Sequence, residues 1–275
     1  MSITKRIVSV QDISCVGQCS LTAALPVLSA YGIETAILPS GILSTHTGGF
    51  TGFTYHDLTE EMFRIVEHWE KEKLDFDAIY TGYIGDARQF DLILDMRKLL
   101  TKNGLLIVDP AMADHGKLYP ALNEEIVEGM RKIVKESDVI LPNLTEAAFL
   151  LNIPYNDNPS REEAEQMVRS LADMGPGIVI LTGVAYEQGK IGAMAYEKGT
   201  GRVTEYLAIR QEKSYHGTGD LFSSVVTANI LNGAPMEKNL EEACEFIVRA
   251  IKKTLPDENH PYGVHFEAVL AEDRA

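Results

Sequence analysis

The run Gly217-Thr218-Gly219-Asp220 stands directly before an apolar stretch, Leu221-Phe222-Ser223-Ser224-Val225-Val226. A glycine-rich turn that opens a helix aims unpaired N–H groups, and the positive end of the helix dipole, at an anion. Phosphoryl transfer uses that arrangement, because charge on the migrating group must be held while a nearby base takes the proton of the attacking hydroxyl. Asp220 is placed to be that base. The competing role is an N-cap, since Asp is a preferred capping residue and Gly commonly precedes a helix. The run alone does not decide between the two.

Further polar residues fall where apolar runs end: Asp109 after Leu105 to Val108, Asn143 after Val139 to Leu141, and Thr182 after Ile178 to Leu181. If those runs are parallel strands, the three side chains meet at one sheet edge, where ligands of open α/β sheets bind. Asn143 and Glu146 are three apart at an expected helix start. They share a face and could hold Mg²⁺ through waters, or Asn143 could simply cap the helix. The loop Ser44-Thr45-His46-Thr47-Gly48-Gly49-Phe50 offers an imidazole and hydroxyls beside an aromatic ring, which suits a planar polar substrate and equally an ordinary surface loop. Tyr83, in Thr81-Gly82-Tyr83-Ile84-Gly85, offers a flat wall to a ring or a half-buried core tyrosine. The chain has no G-x-x-x-x-G-K-[ST], no G-x-G-x-x-G after its first strand, no G-x-S-x-G and no H-E-x-x-H.

The elements that must position these residues follow from periodicity. Strands are expected at 6–10, 34–38, 78–80, 105–108, 139–141 and 178–181. Helices are expected at 20–31 (with Pro26 inside), 59–74, 87–102, 124–136, 144–151, 160–174, 220–231 and 236–255. A long loop fills 39–56, and two strand-like runs within 191–209 flank the turn Lys198-Gly199-Thr200-Gly201 as an edge hairpin. The alternation predicts an α/β fold: a mostly parallel central sheet with helices on both faces and a small β-hairpin at the edge, forming a single domain over residues 1–275.

With 40 acidic against 25 basic residues the chain carries a formal charge of −15, which disfavours nucleic acid or anionic membrane as a main partner. An anionic substrate therefore needs local backbone amides, a helix end or a metal ion. Three cysteines (Cys15, Cys19, Cys244) without C-x-x-C spacing point to a reducing cytoplasm, and the brief apolar stretch after Lys5 and Arg6 suggests no signal peptide or membrane helix.

In order and spacing these motifs resemble the ribokinase-like superfamily and, within it, the pyridoxal (pyridoxine, pyridoxamine) kinases of vitamin B6 salvage. The resemblance rests on Val10-Gln11, Ser44-Thr45-His46-Thr47-Gly48, Gly82-Tyr83-Ile84-Gly85, Asp109-Pro110-Ala111-Met112, Ser137 through Glu146, and Gly217-Thr218-Gly219-Asp220. It implies an ATP-dependent kinase in which Asp220 deprotonates a 5′-hydroxymethyl while the amides of Gly217, Thr218 and Gly219 hold the phosphate. Asp109 and Glu146 would act near Mg²⁺ and the ATP phosphates, and Thr182 would face those phosphates beside Asn143. Lys213, Ser214, Tyr215 and His216 would border the nucleotide, and His46, Thr47 and Tyr83 the pyridine. A monovalent cation and a homodimer also belong to what the resemblance implies. Where such kinases usually place a serine on the ring, this chain has Asp12. A carboxylate there favours a protonated nitrogen or a cationic amine, hence pyridoxamine. Relatives that phosphorylate hydroxymethylpyrimidine share the fold and the last motif, and a noncatalytic nucleotide-binding relative is the alternative outside enzymes.

Overall fold

Residues on successive positions of a strand face opposite sides of a sheet, so the near-continuous apolar runs of this chain bury both faces at once. The computed structural model, which describes residues 4–101, 104–120, 122–260 and 262–273, has this form. In chain order its elements are β1 (Arg6–Ser14), α1 (Leu21–Ala30), β2 (Glu34–Leu43), β3 (Tyr55–Asp57), α2 (Thr59–Lys71), β4 (Ala78–Thr81) and α3 (Ala87–Leu100). Next come β5 (Leu105–Val108), β6 (Ala113–Asp114), β7 (Lys117–Leu118), α4 (Glu124–Glu136), β8 (Val139–Ile140), α5 (Leu144–Leu151) and α6 (Arg161–Asp173). The chain continues with β9 (Ile178–Val184), β10 (Lys190–Glu197), β11 (Arg202–Ile209), α7 (Thr218–Leu231), α8 (Met236–Thr254) and α9 (Phe266–Asp273).

Nine strands form one sheet in the order β11-β10-β9-β8-β5-β4-β1-β2-β3. The six strands from β9 to β2 run parallel, and β3, β10 and β11 add antiparallel edges. Val8, Val10, Ile79, Leu106, Val108 and Ile140 point to one face and pack with residues of α2 to α6. Their neighbours Ile7, Ala78, Tyr80, Ile107 and Val139 point to the other and pack with α1, α7, α8 and α9. This is the helix–sheet–helix layering expected from the sequence.

Four local features differ from expectation. Strand β2 runs on through Pro39 to Leu43, into what the sequence presents as loop. The missing N–H is tolerated there because β3 pairs only with Gly41 to Leu43, leaving that side of Pro39 without a ladder to break. Helix α1 continues through Pro26, in agreement with the helix expected over 20–31. Strand β3, the β6–β7 hairpin and α9 were not anticipated, and all three are too short to show a period. The expected end of α3 at Lys102 lies outside the described residues.

No helix among the described residues is long and apolar enough to cross a membrane.

Candidate active site

Parallel pairing sets the site. Val10 is opposite Thr81, Thr81 opposite Val108, and Val108 opposite Ile140, so the residues after these positions emerge together at the carboxyl edge of the sheet. They include Asp12, Tyr83, Asp109 and Asn143. The last forms an isolated parallel bridge with Thr182.

A cavity of about 400 Å³ opens at this edge. Asp109, Asn143, Glu146, Thr182, Lys213, Ser214, Tyr215, His216, Gly217, Thr218, Gly219 and Asp220 all line it, so every residue expected on the nucleotide side comes together. Arg210 and Asp114 line it as well, as do Tyr119 and Ser223, and none of these four was singled out from the sequence. Arg210 and Lys213 bring positive charge to this edge of an acidic chain. Lys213 lies 5.0 Å over the ring of Tyr215.

Helix α7 begins at Thr218, with Gly217 as its N-cap at φ +80 and no side chain capping the turn. Asp220 is therefore inside the first turn, and the N-cap role open in the sequence falls to Gly217. A β-carbon at Gly217 would lie 1.8 Å from the Gln18 carbonyl oxygen, so only glycine fits. The first turn of α7 thus keeps its N–H groups free of a side-chain cap, on residues that line the cavity.

Burial, then the charge of Asp109, pushes the Asp220 carboxyl up to about 8. Asp109 itself is pushed up to about 6 by burial, against the opposing effect of hydrogen bonds from the Ser223 hydroxyl and the Ala111 amide. Ser223 lies three residues after Asp220 on the same helix face, and so ties the two carboxylates to one element. Glu146 is raised well above the usual carboxylate range, by burial and by Asp109.

Glu146 and Asn143 form a capping box: Asn143 Oδ1 accepts from the Thr145 and Glu146 amides at 2.8 and 2.9 Å, and Glu146 Oε2 accepts from the Asn143 amide at 2.9 Å. Glu146 Oε1 accepts from the Met112 amide at 3.1 Å, and the Asn143 side-chain Nδ2 donates to the Ala113 carbonyl at 2.8 Å. The capping alternative is thus realised for this pair. Two adjacent buried carboxylates, one pushed up by the other's charge, are a donor set that fits a divalent cation travelling with a polyphosphate. Because both Glu146 oxygens already hold backbone amides, Glu146 fits as a charge acting through water.

Asp12, His46, Thr47 and Tyr83 are not among the residues that line the cavity. Asp12 is 4% exposed and accepts hydroxyl hydrogen bonds from Ser14 at 2.8 Å and Ser20 at 2.5 Å. The Ser20 amide donates to the Asp220 carboxylate, so one residue bridges the two carboxylates. Ser20 holds φ +49, ψ −136, a conformation that side chains rarely adopt. Sequence reasoning gave Ser20 only as a helix start; no residue type signals such a backbone angle.

Burial and the Asp12 charge push the Tyr83 hydroxyl up to about 12, and Asp220 and Asp12 together act on the half-buried Cys19 thiol, which is raised mainly by burial. His46 is buried and held below its usual value by burial and by His216, whose ring centroid is 5.5 Å away. Its Nδ1 accepts from the Gly48 amide at 3.1 Å. Thr47 is exposed on the same loop. A β-carbon on Gly48 would come within 2.5 Å of His216, so the loop after β2 closes directly onto the turn before α7.

A parallel sheet of this order, with an open glycine turn and a carboxylate at its carboxyl edge, defines a kinase of the ribokinase-like class. The chain belongs to the phosphomethylpyrimidine kinase family, whose model matches residues 21–265. It is 29% identical over 264 residues to the pyridoxal kinase of Arabidopsis thaliana, covering 92% of this chain and 82% of that one. The crystal structure of pyridoxal kinase from Lactobacillus plantarum superposes with a TM-score of 0.88 at 30% identity, covering 98% of both chains. A Bacteroides thetaiotaomicron protein, provisionally assigned as a phosphomethylpyrimidine kinase and crystallised with pyridoxal, superposes with a TM-score of 0.93 at 37% identity. That match covers 98% of this chain and 95% of that one.

Proposed function

We propose that this kinase transfers the γ-phosphate of ATP to the 5′-hydroxymethyl group of a B6 vitamer: pyridoxal, pyridoxine or pyridoxamine. The observation that carries the reading is Asp220, a carboxylate pushed up to about 8 within a first helical turn left open by Gly217. In this reading Asp220 takes the hydroxyl proton as that oxygen bonds to the γ-phosphorus, and the bond to the ADP oxygen breaks. The amides of Gly217, Thr218 and Gly219 hold the transferring phosphoryl group, while Arg210 and Lys213 meet the remaining phosphate charge. Thr182, Ser214, Tyr215 and His216 border the nucleotide. Asp109 and Glu146 would hold Mg²⁺ through waters near the phosphates, where the ion would neutralise developing charge. His46 and Thr47 would meet the pyridine, with Tyr83 as its aromatic wall. A monovalent cation, a homodimer, a cytoplasmic setting and a single domain spanning the chain complete the proposal.

Within the vitamers we propose a preference for pyridoxamine. The charges that act on Asp220, Cys19 and Tyr83 include Asp12 in each case, joined by Asp109 at Asp220, by Asp220 at Cys19 and by Asp57 at Tyr83, so this side of the site carries surplus negative charge that an amine would offset. A panel of the three vitamers and hydroxymethylpyrimidine with Mg-ATP, read as acceptor-dependent ADP release, tests both statements. Release with vitamers, fastest in kcat/KM for pyridoxamine and reordered by Asp12→Ser, is expected. Turnover of hydroxymethylpyrimidine alone would instead favour the second reading, which the family model's description supports. ATP binding with no acceptor-dependent release would leave a noncatalytic nucleotide-binding protein.

A further inference from the structure

Apart from the catalytic edge, a second group of chemically capable side chains gathers where the loop between α8 and α9 meets the loop between β1 and α1. Asp257, His260 and His265 each offer one ligating atom, and these atoms all lie within 4.8 Å of one another. The Asp257 Oδ2 to His265 Nε2 distance is 3.2 Å. From the other loop the Gln18 side-chain oxygen approaches His260 Nε2 at 3.1 Å. In a tetrahedral zinc site with metal–ligand bonds of about 2.0–2.1 Å, neighbouring ligand atoms stand roughly 3.3 Å apart. Two edges of such a tetrahedron are therefore already set.

We propose that Asp257, His260, His265 and the side-chain oxygen of Gln18 form a binding site for a divalent transition-metal ion of the zinc class.

The ligands are oriented by partners of their own, as the ligands of metal sites usually are. The Gln18 amide nitrogen donates to Glu267 Oε1 at 2.8 Å, which turns the amide oxygen toward His260. Asp257 Oδ1 accepts from the Asn259 amide at 3.1 Å, leaving Oδ2 as the outward oxygen. The His265 amide donates to the Thr254 hydroxyl at 2.8 Å, which anchors that residue to the end of α8. Gly263, at φ +145, allows the chain to double back so that both imidazoles present to one point, their centroids 4.2 Å apart. Two imidazoles, a carboxylate and an amide oxygen suit Zn²⁺, Co²⁺ or Ni²⁺ far better than Mg²⁺, which favours all-oxygen octahedra. Side chains of Asp257 and His265 remain 45% and 33% exposed, so an ion has a path in.

The position has a consequence for the catalytic edge. The Gln18 carbonyl is the atom against which Gly217 packs. An ion held by the Gln18 side chain would pin the β1–α1 loop to the C-terminal loop and brace the Gly217 turn from behind.

Titration of the nucleotide-free protein with Co²⁺ tests the site, because histidine-ligated Co²⁺ of low coordination number gives an intense visible ligand-field band. We expect a saturable band at one equivalent, displaced by Zn²⁺, unchanged in Asp109→Asn, and lost in both His260→Ala and His265→Ala. Gln18→Ala is expected to weaken Zn²⁺ binding by about tenfold. Absence of a band in the wild type, or a band that survives both histidine substitutions, overturns the proposal. Circular dichroism of the variants separates a lost site from a lost fold. The readout requires no turnover, so its failure leaves the kinase reading untouched, and the reverse holds as well.

Discussion

Two helices start at the same sheet edge and line the same cavity, yet they are built in opposite ways. At α5 the side chains of Asn143 and Glu146 close the first turn, consuming amides of residues 143, 145 and 146. At α7 Gly217 leaves the first turn without a side-chain cap. A closed turn gains stability, since a capping side chain is worth about 1 kcal/mol. An open turn forgoes that gain and keeps its donors for a ligand. The carboxylates both line the cavity and are both raised by burial, but they are held differently: Glu146 has its two oxygens bonded to the Asn143 and Met112 amides, whereas Asp220 accepts the Ser20 amide from the start of α1. In the proposed reading one start builds the wall and the other faces the phosphate.

Removing the Asp220 charge should give the largest effect. Asp220→Asn is expected to lower kcat by roughly 10³-fold, within the range for loss of a general base, with the Kd for ATP changed by less than about threefold. Near-normal turnover would dismiss Asp220 as the base. In the wild type, kcat/KM for ATP is expected to fall on the acid side of about pH 8, as Asp220 takes up its proton. The stability dependence runs in the opposite sense. The folded value lies above that of the unfolded chain, so the contribution of the protonated carboxyl is full below pH 3.8 and is lost as pH rises through about 8. Asp220→Asn should therefore flatten the fall of Tm over that window. It should raise Tm at pH 8, with roughly 1–2 kcal/mol of stabilisation giving several degrees in a domain of this size.

Gly217→Ala should come next. The added β-carbon meets the Gln18 carbonyl at 1.8 Å, and φ +80 is unfavourable for alanine. The turn must shift, so a drop in kcat of about 10²-fold is expected together with a lower Tm, as misplacement of about 1 Å at a reacting centre costs on that order. Intact kcat with lowered Tm would show that the open turn is structural only.

Much of this contrast could be read before any coordinates. The layered α/β order was legible because buried parallel strands give continuous apolar runs and the helices keep a clear period. Asp109, Asn143, Thr182 and Asp220 were found because each ends an apolar run or opens a helix. Which amides the two helix starts leave free, however, depends on backbone angles and side-chain rotamers, and a sequence written Pro-Asn-Leu-Thr-Glu or Gly-Thr-Gly-Asp does not state it. Ser20 was missed for the same reason: its part depends on φ +49 and on contact with two carboxylates, one from β1 and one from α7. Arg210 and Ser223 were missed because their meeting at the cavity depends on the antiparallel return of β11 and on the rotation of α7.

The smallest effect is expected at the closed start. Asn143→Ala removes the acceptor for two amides and the bond from its side-chain Nδ2 to the Ala113 carbonyl, 2.8 Å long, which ties α5 to the β6–β7 hairpin. A loss of about 1–2 kcal/mol of stability follows from the cap alone. If α5 serves the site as a wall, that loss should show in thermal unfolding while kcat stays within about threefold and the KM for ATP rises modestly, because the residue supplies no group that changes in the transition state. Glu146→Gln makes the complementary change, since it keeps the size and one acceptor oxygen and removes the charge. A rise in the Mg²⁺ concentration needed for half-maximal rate with Glu146→Gln, and no such rise with Asn143→Ala, would separate the carboxylate's electrostatic part from the cap. Equal Mg²⁺ dependence in the two variants would mean that the pair acts only as a cap, and the contrast between the two helix starts would then be complete.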